Sequence, residues 1–143
     1  MTDNKLHAIL AYLGALPFVA CAILPWLGMA AIPGIGECAY VSATYGVAIA
    51  SFMAGIHWGT YLYRQDSLPI NLLLTSNAIT LAVWFAFLLA PITVSLAVNA
   101  AAFLALLVVD YRLAGAGLIS APYLQLRRNV TLIVVASLVL AII

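Results

Sequence analysis

The sequence predicts an all-α, polytopic membrane bundle of five transmembrane helices, and three observations carry that prediction. Of 143 residues, 67% are hydrophobic and 6% charged, whereas a soluble domain carries roughly a quarter charged residues. A mean hydropathy of +1.21 belongs to a chain solvated by lipid. Five apolar windows, at about 6–28, 40–63, 70–90, 93–112 and 122–143, come near the ~20 residues that a helix needs to cross a hydrocarbon core. Finally, Lys5, Arg64, Arg112, Arg127 and Arg128 all fall on one side of a five-span layout. Cytoplasmic loops keep basic residues and translocated loops shed them. The expected topology is therefore one domain over residues 1–143, with the N-terminus cytoplasmic and the C-terminus periplasmic. Four or six spans would scatter the arginines over both faces.

The first span contains Pro17 and Pro25, which remove backbone hydrogen bonds and bend a helix where neighbours must take up the freed carbonyls. At about 20 residues it exceeds the roughly 7–15 of a signal-peptide core, so it is expected to be retained. The connection from Met29 to Ala39 holds Pro33, Gly34, Gly36 and Glu37, suited to tight turns. Cys21 in the first span and Cys38 in this connection show neither CxxC spacing nor metal-ligand company, and are expected as packing thiols. After span two, Ser67 is a candidate cap and Pro69 stands near the first turn of span three. Spans three and four form an antiparallel hairpin around Pro91, and a Gly- and Ala-rich stretch from Leu113 to Ala121 leads to Pro122 and the last helix. Tyr40, Trp84 and Tyr123 lie near the expected interfaces, where amphipathic rings settle.

Span two has an unusual wheel. Ser51, Gly55 and Gly59 form one small-residue ridge, and Gly46, Ala50 and Ala54 form an adjacent one. Close backbone approach across small residues drives helix association in lipid, so Gly46, Ser51, Gly55 and Gly59 are expected packing positions and span two is expected at the centre. His57 continues the second ridge about two turns in from Arg64, and should face protein. An ionisable residue at membrane depth is a functional candidate.

In span four, Asn99, Leu106 and Asp110 share a face. Asp110 cannot face Arg112 two residues away. Its partner is expected from another helix, among Arg64, Arg127, Arg128 and His57. Asn77, Thr80 and Trp84 share a face of span three, where they could line a pocket but are expected to bond between helices.

Several chemistries lack their parts. The only lysine is Lys5, so no mid-membrane Schiff base is available, and no acidic residue sits at the centre of a span. No paired carboxylates, HExxH or Walker loop occur. No catalytic residue, metal site, cofactor or nucleic-acid partner is expected; a haem held by His7 and His57 would need groups at different depths.

The segments Leu13-Gly14-Ala15-Leu16-Pro17-Phe18, Tyr45-Gly46 through Ser51-Phe52, Gly55-Ile56-His57-Trp58-Gly59, Asp110-Tyr111-Arg112 and Pro122-Tyr123-Leu124-Gln125-Leu126-Arg127 together cover nearly the whole chain. The pattern resembles a family of five-span proteins of unknown function, from bacteria and mitochondria, that includes transmembrane protein 69. The Gly-x-His-Trp-Gly piece is its specific part, and Ala54 stands where the family pattern expects a glycine. The resemblance implies topology and candidate ligand- or partner-binding positions at His57, Trp58, Asp110 and Arg112, without supplying chemistry.

Two functions are expected from this material. The first is a non-catalytic accessory or assembly subunit packed against a larger membrane complex, in the bacterial cytoplasmic membrane or alternatively the mitochondrial inner membrane. The second is a binder or transporter of a small molecule or ion, with a pocket around His57, Trp58 and Asp110. Arg64, Arg112, Arg127 and Arg128 are candidates for anionic headgroups of the bilayer.

Overall fold

The five apolar windows become five long helices in the computed structural model, which describes residues 3–64 and 68–143. They are α1 (Asp3–Ile23), α2 (Cys38–Tyr63), α3 (Leu72–Leu89), α4 (Ile92–Gly115) and α5 (Ala121–Leu140). Each is long and apolar enough to cross a membrane, as a chain with so little polar surface requires if its backbone groups are to be satisfied within lipid.

Helix ends follow local chemistry. Pro25 turns the end of α1 into a short 3-10 segment, Leu24–Leu27, which stops at Gly28 in the left-handed conformation (φ 84°). The connection then folds back as a miniature hairpin of β1 (Ala31–Ile32) and β2 (Gly36–Glu37), with Gly34 at φ 76° in its turn. Cys38 is the first residue of α2 rather than a loop residue. The cap of α3 is Asn71, whose side chain accepts from the Leu74 N–H at 3.1 Å. The capping role expected of Ser67 lies outside the described residues.

α2 and α4 run parallel in one register. Asn99 donates to the carbonyl of Ala43 at 3.1 Å and lies against Gly46, while His57 pairs with Asp110 53 residues further along. Gly46 and His57 are separated by the same eleven positions as Asn99 and Asp110, about three turns or ~16 Å of helix. Between these contacts the facing residues are Ala50 and Ala54 on α2 and Phe103 and Leu106 on α4, all buried. Small side chains on one helix receive large ones from the other, which is how close packing is achieved without a hydrophobic driving force.

The centre of the bundle is α4, not α2 as the small-residue ridges suggest. Half of α4's most apolar stretch is buried, 50% against 28% for α2. The reason is visible in the ridges: Gly46, Ala50, Ala54 and His57 are buried, whereas Gly55 is exposed, Ser51 is half-buried, and no atom lies within 4 Å of where a side chain at Gly55 or Gly59 would begin. Among the described residues, nothing packs closely on the ridge at Gly55 and Gly59.

α1 packs against α5 and α2. Pro17 leaves the Leu13 carbonyl without its helical donor, and the adjoining Gly14 carbonyl accepts from Tyr45 Oη at 3.1 Å. Phe18 then stacks tilted on Tyr45 (5.0 Å between centroids) and edge-on to Phe103 (5.7 Å). This aromatic cluster ties α1, α2 and α4 together at mid-depth.

Gly46 is the position where this packing is tightest. A Cβ there would stand 2.7 Å from Asn99 Nδ2 and 2.9 Å from its Cγ, so Gly46→Ala should destabilise the bundle by about 1–3 kcal/mol. Gly59→Ala should be close to neutral or slightly stabilising, since nothing is displaced and helix propensity improves. Unfolding midpoints of the two variants in mixed micelles check this; equal midpoints would mean that the α2–α4 approach does not constrain the fold.

Candidate functional site

A carboxylate placed inside a membrane bundle must be paired, because an isolated buried charge costs far more than a folded domain can offset. Asp110, about one turn from the end of α4 and 2% exposed, meets two partners. Its Oδ1 is 2.8 Å from His57 Nε2 on α2, and its Oδ2 accepts from Arg127 Nε on α5 at 2.8 Å. His57 is 2% exposed and Arg127 9%. Three helices thus meet at one carboxylate.

A carboxylate paired with a guanidinium only accepts, so the His57 nitrogen that faces Asp110, Nε2, is the donor. Among the described residues, Nδ1 of His57 is buried without a partner. Asp110 and Arg127 bring opposite charges into the bundle as a pair. Nη1 of Arg127 rests 3.1 Å from the Met53 sulfur, a weak acceptor.

Beside the cluster lies a cavity of about 360 Å³ between α1, α2 and α5. Leu10, Ala11 and Gly14 form its α1 wall, Ile49, Phe52, Met53 and Ile56 its α2 wall, and Phe18 and Phe103 its floor. α5 contributes Tyr123, Leu126, Arg127, Val130, Thr131 and Val134, and His7 completes the lining. His7 stacks on Tyr123 with ring centroids 5.5 Å apart and planes within 6°. The lining is therefore mostly apolar, with Tyr123 and His7 at the basic end, Arg127 one turn further in and Thr131 one turn beyond it on α5. It runs from the basic end of the bundle, at His7 and Tyr123, to the middle of the helices at Phe18, Phe103 and Val134.

The candidate positions divide. The structure joins His57 and Asp110, and the partner of Asp110 is both His57 and Arg127 from the expected set. Trp58 is exposed and takes no part, and Arg112 is exposed in the last turn of α4, away from the ion pair. The proposed cationic patch needs correcting: Arg64, Arg112 and Arg128 are exposed, but Arg127 is turned inward onto Asp110. Among the described residues Asn77 makes no bond between helices; it is exposed and donates to the Leu73 carbonyl of its own helix at 2.8 Å. Thr80 is half-buried and Trp84 packs against Phe85.

Sequence reasoning places Arg127 among four candidate partners of Asp110 without singling it out, and misses this cavity. The signal for singling it out was present in α5: Arg127, Thr131, Val134 and Leu138 recur at helical spacing and are all buried, with Arg128 rotated out. The cavity has no comparable signature, because it arises where α1 stands away from α2.

A family model described as protein of unknown function (DUF3429) matches residues 4–143. No curated protein matches, and no solved structure does.

The ion pair makes a quantitative forecast. Asp110→Ala leaves a buried guanidinium without countercharge and should lower stability by about 3–5 kcal/mol. Replacing both partners, Asp110→Leu with Arg127→Met, should recover most of that loss, because no charge then remains to be desolvated. His57→Phe should cost less than Asp110→Ala, since Arg127 still neutralises the carboxylate. Detergent-titration unfolding of the four proteins measures the order; a double variant no better than Asp110→Ala would refute the pairing account.

Proposed function

We propose that this chain, which belongs to the DUF3429 family, is a non-catalytic integral membrane protein that binds a single-chain amphiphile with an anionic head. The observation that carries the reading is the cavity's polarity: a mostly apolar slot of about 360 Å³, within the size range of ligand pockets, lined toward the basic end by Arg127, His7 and Tyr123. The tail lies along Leu10, Ile49, Phe52, Ile56 and Val130, and the head meets the guanidinium donors that Asp110 and Met53 do not engage. Charge complementarity favours an anion. Lys5 and Arg128, both exposed, stand at the same end of the bundle and add positive potential where Arg127 itself is already neutralised.

Asp110 and His57 serve this site by positioning. Asp110 holds Arg127 in the bundle with its remaining donors toward the cavity, and His57 holds Asp110. With the basic ends cytoplasmic, the slot opens at the depth of the cytoplasmic leaflet of a bacterial inner membrane, or the matrix leaflet in mitochondria. A second reading, an accessory or assembly subunit of a larger complex, is favoured by a 143-residue chain with short connections and little surface outside its helices. The two readings part in the mass of the extracted particle.

Native mass measurement after gentle extraction tests the proposal. The parent should carry one small amphiphile per chain, and Ala11→Phe, which fills the slot from α1 without touching the ion pair, should lose it while keeping the parent's unfolding midpoint. A bare parent, or an Ala11→Phe variant with the same adduct, would overturn the binding site. Co-migration with a large complex would favour the accessory reading instead.

A further inference from the structure

The end of the bundle opposite the basic residues holds the chain's two cysteines. Cys21 lies in the last turn of α1 and Cys38 opens α2, with the miniature hairpin between them. Sixteen residues separate them in sequence, yet the hairpin returns Cys38 to the side of Cys21 at this end of the bundle. Each is 1% exposed, so neither is held at this place by chance of the surface. Cys38 Sγ also lies 3.6 Å from the Met29 carbonyl, to which it donates.

We propose that Cys21 and Cys38 form a reversible disulfide that links the end of α1 to the start of α2. A second observation supports a site rather than two packing thiols: both cysteines line one cavity of about 570 Å³, together with Pro25, Trp26, Glu37 and Leu140. Glu37 is exposed and adjoins Cys38, so the cavity is polar where it meets solvent. A small disulfide of the glutathione kind is the oxidant class that this access admits. On the orientation given by the basic residues, the pair faces the non-cytoplasmic side, where disulfides persist.

The exchange balances without any further reactant. One cysteine, as its thiolate, attacks a sulfur of the oxidant and expels a thiolate, giving a mixed disulfide. The second cysteine, deprotonated in turn, attacks the protein sulfur of that intermediate, forms the Cys21–Cys38 bond and releases the other half of the oxidant. The protein gives up two electrons and two protons, and the oxidant's disulfide becomes two thiols.

The test uses the full chain in detergent or lipid nanodiscs, equilibrated in glutathione buffers from reducing to oxidising. After acid quench and denaturation, free thiols are capped with a maleimide and intact mass is read. The parent should pass from two maleimides to none, with a mass lower by two hydrogens and no bound glutathione. Cys21→Ser and Cys38→Ser should each lose that form and keep a single thiol that is either alkylated or glutathionylated. Two alkylatable thiols in the parent at every buffer, stable glutathione adducts on it, or disulfide-linked dimers in place of the internal bond would each overturn the proposal. So would a single-cysteine variant whose remaining thiol resists alkylation without a mass change.

Discussion

The pairing of Asp110 constrains more of this structure than any other contact. In a medium where an unpaired carboxylate is prohibitively costly, its two oxygens need donors that are themselves held in place. His57 and Arg127 supply them from two different helices at 2.8 Å each. That requirement fixes the depth of α2 and α5 relative to α4 at one level. Two hydrogen-bonding directions from one carboxylate also fix the rotation of each helix about its axis, since a turn of 100° would carry either partner away. Apolar contacts between greasy helices discriminate such alternatives poorly, because lipid satisfies the same surfaces. The ion pair is thus the source of specificity in a bundle whose apolar faces are largely interchangeable.

A second polar contact three turns away completes the alignment. Asn99 reaches across to the Ala43 carbonyl beside Gly46, and the glycine is what admits it, since no other residue leaves room for the amide. With both ends of the α2–α4 interface pinned, Ala50 and Ala54 are left facing Phe103 and Leu106 without freedom to slide. The division of labour is clear in the residue types: polar groups set the register, and small residues let it close.

Most of the fold was legible in the sequence because membrane helices obey coarse rules. Length and apolarity located the five spans to within a few residues, and the one-sided distribution of five basic residues fixed their number. The site was legible in part. His57 and Asp110 are each conspicuous as ionisable groups in apolar surroundings, and depth left His57 as one of four partners open to Asp110, beside Arg64, Arg127 and Arg128. Arg127 was hidden by its neighbour: two adjacent arginines near a helix end read as interfacial charge, and only the helical recurrence of Thr131, Val134 and Leu138 separates the inward one. The Gly55 and Gly59 ridge misled for a related reason. Spacing reports that a small-residue face exists, but not which neighbour uses it, and among the described residues nothing packs closely at Gly55 or Gly59. The proximity of Cys21 and Cys38 was beyond periodicity altogether, because it depends on how a short hairpin returns the chain.

The cavity follows from the same constraints that hold the bundle together. Phe18, Tyr45 and Phe103 meet at mid-depth and join α1 to α2 and α4, while the stacking of His7 on Tyr123 ties the start of α1 to α5. Between those two levels α1 presents Ala11 and Gly14, side chains too small to reach α2, whose opposing residues are Ile49, Phe52, Met53 and Ile56. The gap cannot close by collapse of α1, since its contacts above and below belong to different helices. Nor can Arg127 swing out to fill it while Asp110 holds its Nε. A space bounded in this way persists because the groups around it are committed elsewhere, and its charged wall is the arginine that the buried carboxylate keeps at membrane depth.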